Sequence, residues 1–211
     1  MDKKYCLTCF KEINLTPIRD FLENNPLICS NCLSQIPIKL IKRKIFNTSI
    51  LFLSEYESVM KSYLMNYKEY KDVELAKVFL KPFLNIIKLL YKNYLFIPCP
   101  SSKMRVENRG FDHLEEILKV NKINYELVLT KNSNEIHKNL KMTDRFNQDT
   151  ISIIDSKKGS LKNKKIVLFD DVFTTGNTFK QSLEVLKKEN PSIIKGLIIL
   201  DNYKIDELKI K

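Results

Sequence analysis

Short apolar runs along the chain predict β-strands. A continuous apolar run of about four to eight residues, bounded by turn residues, is typical of a strand that is buried on both faces. Stretches of this kind cover residues 49–53, 94–97, 126–130, 151–154, 166–169 and 193–200. The run at residues 166–169 is long enough for a strand buried on both faces, and we expect the rest of the chain to be organised around it.

Other segments carry apolar residues at helical spacing. Apolar positions that recur three and four residues apart place one apolar face on an α-helix. Such segments cover residues 56–67, 73–90 and 111–120, and a further one contains Phe179, Leu183 and Leu186. Pro82 should break or kink the second segment, because proline lacks the backbone N–H that a helix needs. Strands that alternate with helices are typical of an α/β fold.

The strand at residues 166–169 leads into a loop rich in hydroxyl groups and then into a helix. The amino end of a helix attracts anions, because its N–H groups are unpaired and its dipole end is positive. Gly176 lacks a Cβ, so a phosphate could approach the backbone closely there. We therefore predict that this loop cradles a phosphate through Thr174, Thr175, Gly176, Asn177 and Thr178.

Two adjacent carboxylates, Asp170 and Asp171, separate this strand from the loop. Carboxylates repel a phosphate unless they bind another group, and the vicinal hydroxyls of a ribose, directly or alongside Mg²⁺, are a natural partner. The ligand implied is a ribose 5-phosphate that carries additional phosphate. In a transfer reaction, both acids would position the ribose and favour a developing positive charge at its C1 atom. We take them as the candidate catalytic residues.

A second stretch suited to an anion follows an earlier strand. It consists of a proline-flanked turn and several cations, and we predict that Ser101, Lys103 and Arg105 contact an anion such as a pyrophosphate. Arg109 is a further candidate counter-charge. Cys99, in the same turn, is interpreted as a small packed residue. Neither histidine of the chain is placed to serve as the base that a thiolate nucleophile needs.

Four of the five cysteines form two C-x2-C pairs near the amino end of the chain. The pairs are Cys6 with Cys9 and Cys29 with Cys32. This spacing is typical of a four-thiolate zinc site, in which each pair turns two sulfurs towards one ion. No coordination position is left open, so we expect a structural zinc rather than a catalytic one. The metal would supply folding energy to a module too small to bury much core of its own.

The length and composition of the chain indicate its domain number and its location in the cell. A chain of 211 residues with 44% hydrophobic residues makes one domain of ordinary size with a small appendage. We find no apolar run long enough to span a membrane and no signal peptide at residues 1–6, and we expect a cytoplasmic protein.

The net charge of +11 would attract polyanions such as nucleic acid. A composition rich in Lys, Asn and Ile also arises in an AT-rich genome.

Two basic segments lie outside the strands and loops described so far. We predict that residues 33–47 continue a short helix from the second cysteine pair into a basic linker, which either contacts nucleic acid or is simply solvated. Residues 131–150 are polar and irregular, and they form either a lid over bound phosphate or an ordinary surface loop. The cations concerned are Lys39, Lys42, Arg43 and Lys44 in the first segment and Lys138, Lys141 and Arg145 in the second.

The stretch at residues 165–178 resembles the motif that binds phosphoribosyl diphosphate (PRPP) in the type I phosphoribosyltransferases. Their pattern is an apolar strand, two acids, two apolar residues and Thr-Thr-Gly-x-Thr, and here Phe173 stands where an aliphatic residue is usual. The resemblance implies a parallel sheet flanked by helices, PRPP with Mg²⁺ as the ligand, and a pyrophosphate loop in the turn that follows residue 97. It does not identify the acceptor.

The whole set of features is similar to the ComF family, bacterial proteins associated with natural competence and DNA uptake. The features are the four-cysteine module, the proline-flanked loop followed by Arg-Gly-Phe at residues 109–111, the segment that ends in Arg-Phe-Asn at residues 145–147, and the acidic motif. The family usually has Asn where this chain has Asp112, and Gln near the place of His137. The resemblance otherwise covers nearly the whole chain.

We divide the chain into a zinc module with a basic linker, residues 1–47, and a phosphoribosyltransferase-like domain, residues 48–211. The resemblance implies the handling of incoming single-stranded DNA beside other cytoplasmic competence proteins, with the PRPP site used either for catalysis or as a sensor. The alternative is a conventional salvage phosphoribosyltransferase with no role in DNA uptake. Such an enzyme needs stacking aromatic side chains for a nucleobase, and the sequence does not locate them.

Overall fold

The computed structural model describes residues 4–13, 27–132 and 150–202. Its strands are β1 Ile41–Ile45, β2 Thr48–Glu55, β3 Leu95–Pro98, β4 Leu129–Asn132, β5 Thr150–Ile153, β6 Lys165–Phe173 and β7 Ile193–Asp201. The main sheet has the order β1–β2–β7–β6–β3, and β4 pairs with β5 in a separate antiparallel sheet. In the main sheet β1 runs antiparallel to β2 and the other neighbours are parallel. The mostly parallel sheet confirms the predicted α/β class.

Helices connect these strands. They are α1 Ser30–Ser34, α2 Val59–Lys68, α3 Ala76–Phe79, α4 Leu84–Leu90, α5 Lys103–Arg109, α6 His113–Val120 and α7 Asn177–Lys187. Pro82 lies in a 3₁₀ turn, Lys81–Phe83, between α3 and α4, so the predicted break is confirmed. Helix α5 was not apparent from the sequence. Within the described ranges, none of the helices is long and apolar enough to cross a membrane.

The centre of the core is formed by β6 and α7. The apolar residues 166–169 of β6 are fully buried, as the sequence predicts for a strand covered on both faces. On α7, Phe179, Leu183 and Leu186 are buried on one face, and the helix packs on β6 and β5. Burial of side chains of this size contributes about 1.5–3 kcal/mol each. Packing of this kind on both sides fixes the position of the loop that joins the two elements.

Between the cysteines and β2, the predicted short helix is present as α1, whereas part of the predicted basic linker is a strand. Helix α1 ends at Ser34, shortly before a proline, where a helix does not readily continue. Residues 41–45 form the edge strand β1. Apolar residues and Arg43 share the partly buried face of this strand, whereas Lys42 and Lys44 are exposed on the other face. Partly buried and exposed residues therefore alternate with the period of two that is typical of a strand, and not with a helical period.

Candidate functional site

A cleft opens beside β6 because the neighbouring strand β3 is shorter. Strand β3 ends at Pro98, which pairs with Phe169, whereas β6 continues to Phe173. Asp170 and Asp171 therefore lie within β6, and not beyond its end as the sequence suggested. Past the end of β3, none of the described strands occupies that side of β6. The loop after β3 borders the space next to the two acids.

The cleft contains a cavity of about 190 Å³. Its wall unites the two stretches that the sequence predicted as anion and ribose sites, because both acids line it together with Thr178 from the loop after β6. The loop after β3 and helix α5 contribute Ser101, Ser102, Arg105 and Arg109. The polar part of the wall is completed by Lys68 of α2, His113 of α6 and Lys131 of β4, and none of these three was predicted.

Some of the predicted residues lie elsewhere. Lys103 borders a different cavity, which is lined by β5 and α7. Thr174, Thr175 and Asn177 are exposed where α7 begins, and the N–H of Asn177 donates to Oγ1 of Thr175 over 3.4 Å. Solvent, and therefore a phosphate, has access to this turn. The predicted lid falls mainly in residues 133–149, which lie outside the described part of the chain.

Two side chains hold Asp171 in its charged form. Its Oδ2 atom forms an ion pair with Lys68 and lies 3.0 Å from Nε2 of His113. Burial by itself raises the pKa of Asp171, but the charge of Lys68 and the hydrogen bond from His113 outweigh burial and hold the pKa well below its usual range. Asp171 is therefore ionised at neutral pH.

Asp170 has a different environment. Burial and the adjacent charge of Asp171 raise the pKa of Asp170 to about 7. The N–H of Asp171 donates to Oδ1 of Asp170 over 3.0 Å, and this hydrogen bond only partly opposes the rise in the pKa. Burial also raises the pKa of the Cys99 thiol well above its usual range, which suits a packed residue and not a nucleophile. The site thus holds one permanent carboxylate and one that titrates near neutrality.

Arg109 determines where His113 carries its proton. Nη1 of Arg109 lies 3.0 Å from Nδ1 of the imidazole, and Oγ of Ser101 lies 3.3 Å from the same nitrogen. A guanidinium only donates hydrogen bonds, so Nδ1 must accept one and the ring proton must lie on Nε2, which faces Asp171. Burial lowers the pKa of His113 despite the opposing charge of Asp171. A neutral His113 therefore links Arg109 to Asp171.

A tight turn between two helices produces this arrangement. Gly110 ends α5 with a φ of 89°, a left-handed conformation that glycine adopts without steric cost. Asp112 begins α6 by accepting two backbone N–H groups of its first turn over 3.0 and 3.1 Å. Arg109 at the end of one helix is thereby brought against His113 at the start of the next. Aspartate and asparagine cap helices equally well, so Asp112 keeps this function where the ComF family usually has Asn.

The glycine of the loop after β6 is required by its own surroundings. Gly176 has a φ of 72°, and a Cβ at this position would overlap the ring of Phe173. Phe173 is buried and packs edge-on against Phe52, with ring centroids 5.6 Å apart. Because Gly176 lacks a Cβ, the loop can accommodate the ring of Phe173, which stands where an aliphatic residue is usual. The sequence predicted a different reason for this glycine, the close approach of a phosphate.

The four cysteines of the two C-x2-C pairs converge on one point. Their Sγ atoms lie within 4.8 Å of one another, and those of Cys9 and Cys29 are 3.8 Å apart. Metal–sulfur bonds of about 2.3 Å in a tetrahedral site separate the sulfurs by about 3.8 Å, so the cluster fits a four-thiolate metal site. Cys6, Ile28 and Cys32 belong to the same buried core as the sheet. The metal site and the sheet therefore share one hydrophobic core.

The basic residues of β1 have two different environments. Nη1 of Arg43 lies 2.6 Å from a carboxylate oxygen of Asp201, and the guanidinium lies over the ring of Phe52. Arg43 is therefore neutralised inside the protein. Lys42 and Lys44 are exposed on the opposite face, where an external polyanion has access to them.

Residues 106–209 match the family model for the phosphoribosyl transferase domain. The chain is 31% identical over 140 residues to the competence protein ComFC of Streptococcus pneumoniae, which covers 66% of this chain and 62% of that protein. It is 27% identical over 187 residues to ComFC of Bacillus subtilis, which covers 84% of this chain and 75% of that protein. The match thus spans less than two thirds of the length of the first of these relatives.

Solved structures of phosphoribosyltransferases also align with the chain. A hypoxanthine-guanine phosphoribosyltransferase from Bacillus anthracis aligns over 64% of this chain and 73% of its own, with 12% identity and a TM-score of 0.40. The sequence matches carry the assignment, because the family model extends over the acidic motif. We conclude that the chain is similar to the ComFC competence proteins and that its carboxyl-terminal half matches the phosphoribosyl transferase domain.

Proposed function

We propose that this chain binds PRPP in the cavity beside β6 and handles incoming single-stranded DNA during natural transformation, in the cytoplasm and beside other competence proteins. One observation carries the first half of the proposal. The acids of β6, Thr178 and the cationic loop after β3 line one cavity, although they come from distant parts of the sequence. Ribose, phosphate and pyrophosphate need these three kinds of group side by side.

In this proposal each part of PRPP has its own partners. Asp170 and Asp171 accept the ribose hydroxyls, and the turn of residues 174–178 holds the 5′-phosphate at the amino end of α7. Ser101 and Arg105 face the pyrophosphate, as the sequence predicted. Arg109 joins them in place of Lys103, which lies outside this cavity. Lys68 and His113 keep Asp171 ionised and oriented.

The carboxylates and the phosphates of PRPP together fit Mg²⁺, which prefers oxygen ligands and is commonly shared between a carboxylate and substrate phosphates. The ion would neutralise charge on the pyrophosphate. In a transfer reaction, the bond from ribose C1 to pyrophosphate would break, and the ionised Asp171 would favour the positive charge that develops on the sugar. The same contacts would serve a sensor that binds PRPP without turnover.

The DNA half of the proposal is supported by the relatives and by the charge of the chain. Both relatives are named competence proteins. The net charge is +11, and part of it lies in exposed Lys42 and Lys44 on the edge strand. The described residues that line the PRPP cavity include no Phe, Tyr or Trp, and the one ring among them, that of His113, is bound to Arg109 and Asp171. We further propose that the metal of the four-cysteine site is a structural zinc, because that ligand set favours it.

The PRPP site is tested by isothermal titration with PRPP and Mg²⁺, with and without single-stranded DNA. At pH 8, where Asp170 is ionised, we expect the parent to bind PRPP and Asp170→Asn to bind it about 10- to 100-fold more weakly, because a hydrogen bond to a charged group contributes about 1.5–3 kcal/mol. Asp155→Asn is the matched control, since 93% of that side chain is exposed and Asp155 does not line the cavity. A parent that does not bind PRPP, or an Asp170→Asn variant that binds as tightly as the parent, overturns the assignment.

A further inference from the structure

A second cavity adjoins the one that contains the two acids. It has a volume of about 390 Å³. Three residues of its wall, Lys68, Arg105 and Arg109, also line the first cavity. The rest of its wall is formed by Glu69, Lys71 and Asn108. PRPP in the first cavity would leave this second one open to another ligand.

Arg109 is held in the wall that the two cavities share. Its Nε atom donates to the backbone carbonyl of Lys68 over 3.2 Å, and Nη1 donates to Nδ1 of His113 over 3.0 Å. An arginine carries five N–H donors, and contacts within the described residues account for these two. A guanidinium that is already fixed by two hydrogen bonds loses little conformational freedom when its other donors bind an anion.

The charge of the second cavity favours an anion. Lys68 is paired with Asp171, so its charge is largely compensated. The other cations of the wall are Lys71, Arg105 and Arg109. They outnumber the single carboxylate, that of Glu69. Guanidinium groups match the spacing of phosphate oxygens and bind them through two parallel hydrogen bonds. The ligand implied carries at least one phosphate.

An exposed aromatic residue lies next to one of these cations in the sequence. Tyr70 directly precedes Lys71, and 72% of Tyr70 is exposed. A base stacks on an aromatic face while a nearby cation binds its phosphate, and this combination binds single strands without a strong sequence preference. The ring and the cations together favour a nucleotide over a simple phosphate.

We propose that the second cavity binds the phosphate of a nucleotide, free or within single-stranded DNA, against Arg105, Arg109 and Lys71. The inference rests on the proposed function only for the occupant of the first cavity. Because both ligands would draw on Arg105 and Arg109, they compete for the same positive charge. Saturation with PRPP therefore weakens nucleotide binding, and by linkage nucleotide weakens PRPP binding by the same factor.

The test uses Lys71→Asn, because Lys71 borders only the second cavity. Its φ is 60°, and asparagine tolerates this left-handed conformation. Lys122→Asn is the matched control, since Lys122 is also exposed, has a φ of 54° and lines neither cavity. The probes are thymidine 5′-monophosphate, a 20-nucleotide oligothymidylate and PRPP, each titrated into the full chain.

We expect Lys71→Asn to bind the oligothymidylate about tenfold more weakly than the parent, with PRPP affinity unchanged and Lys122→Asn like the parent. An equal loss for the monophosphate identifies a free nucleotide as a sufficient ligand, and a loss for the oligonucleotide alone identifies DNA. An unchanged affinity for both nucleotide probes, or an equal loss in Lys122→Asn, overturns the inference. A parent that binds nucleotide but not PRPP would contradict the proposed function and leave this inference standing.

Discussion

Nε2 of His113 lies 3.0 Å from Oδ2 of Asp171, and this contact separates the behaviour of two adjacent acids. Asp171 has His113 and Lys68 as partners and stays ionised, whereas Asp170 has a pKa of about 7. The two carboxylates of the motif therefore differ in their pKa and in their effect on the stability of the folded protein. Neither property follows from their adjacent places in the sequence.

Replacement of each acid by Asn should change stability in opposite directions. The folded-state pKa of Asp170 lies above its unfolded value of about 3.9, so its favourable contribution is present at low pH and is lost as pH rises towards 7. Asp170→Asn should then be more stable than the parent at pH 8, by a margin that shrinks towards pH 5. Urea unfolding at several pH values measures this. A margin independent of pH would contradict the assigned pKa.

Asp171→Asn should destabilise the protein at neutral pH. The folded-state pKa of Asp171 is depressed, so its contribution is present above an unfolded pKa of about 3.9 and is lost only as pH falls. The variant leaves Lys68 without a charged partner, and we expect a loss of about 1–3 kcal/mol in the free energy of unfolding. Urea unfolding of this variant beside Asp155→Asn, an exposed control, tests the value. Unchanged stability at pH 7 would show that the ion pair is not formed.

A Cβ added at residue 176 would overlap the ring of Phe173. Mutations at these two positions should therefore have non-additive effects on stability. Gly176→Ala should destabilise the parent, because the left-handed backbone costs a non-glycine residue about 1–2 kcal/mol and the new Cβ meets the Phe173 ring. In a Phe173→Leu background, the destabilisation caused by the clash with the ring should disappear. Chemical unfolding of the parent, both single variants and the double variant gives the coupling energy. A coupling of zero would show that the ring does not constrain the glycine.

The four-cysteine site predicts one zinc per chain. Elemental analysis of protein purified without chelator should show one equivalent in the parent and a large loss in Cys9→Ser. Because Cys6 and Cys32 share the core of the sheet, the loss of metal should also lower the thermal midpoint of the whole protein. Cys99→Ala is the control, since Cys99 lies away from the cluster and should retain the metal. Metal-free parent protein would rule out the site.

Single-stranded DNA should bind in a salt-sensitive manner. Affinity for an oligothymidylate should fall as salt rises from about 50 to 200 mM. Replacing Lys42 and Lys44 together by Gln should reduce the salt slope by about 1.4, because each phosphate contact on a single strand contributes about 0.7. Lys39→Gln is the control, since Lys39 is paired with Glu55 at 3.1 Å. Affinity that is insensitive to salt would exclude a phosphate-driven mode.

Two exposed aromatic residues of the cysteine module are candidates for stacking on the bases of single-stranded DNA. Tyr5 and Phe10 are 55% and 73% exposed. If bases stack on these rings, each Ala variant should lose about 1–3 kcal/mol of DNA binding with an unchanged salt slope. Fluorescence anisotropy with a labelled oligonucleotide measures both quantities. An altered slope would indicate a contact to phosphate and not to a base.

Local features of the chain were predictable because local chemistry specifies them. The buried run at residues 166–169, the amphipathic face of α7 and the break at Pro82 follow from periodicity and from the lack of a proline N–H. The paired C-x2-C spacing likewise places four sulfurs in reach of one ion without knowledge of the fold. Each of these features depends on residues that are close in sequence or on a recurrent spacing.

The partners of the buried charges were decided only by the tertiary structure. Lys68, His113 and Asp171 come from three elements that the sheet brings together, and no pattern in the sequence shows which cation neutralises which acid. Arg43 illustrates the same limit, because its neighbours Lys42 and Lys44 look alike in sequence, yet only Arg43 faces Asp201. Sequence patterns record the period of burial along one element, whereas a charge is paired by whichever side chain the packing of other elements delivers.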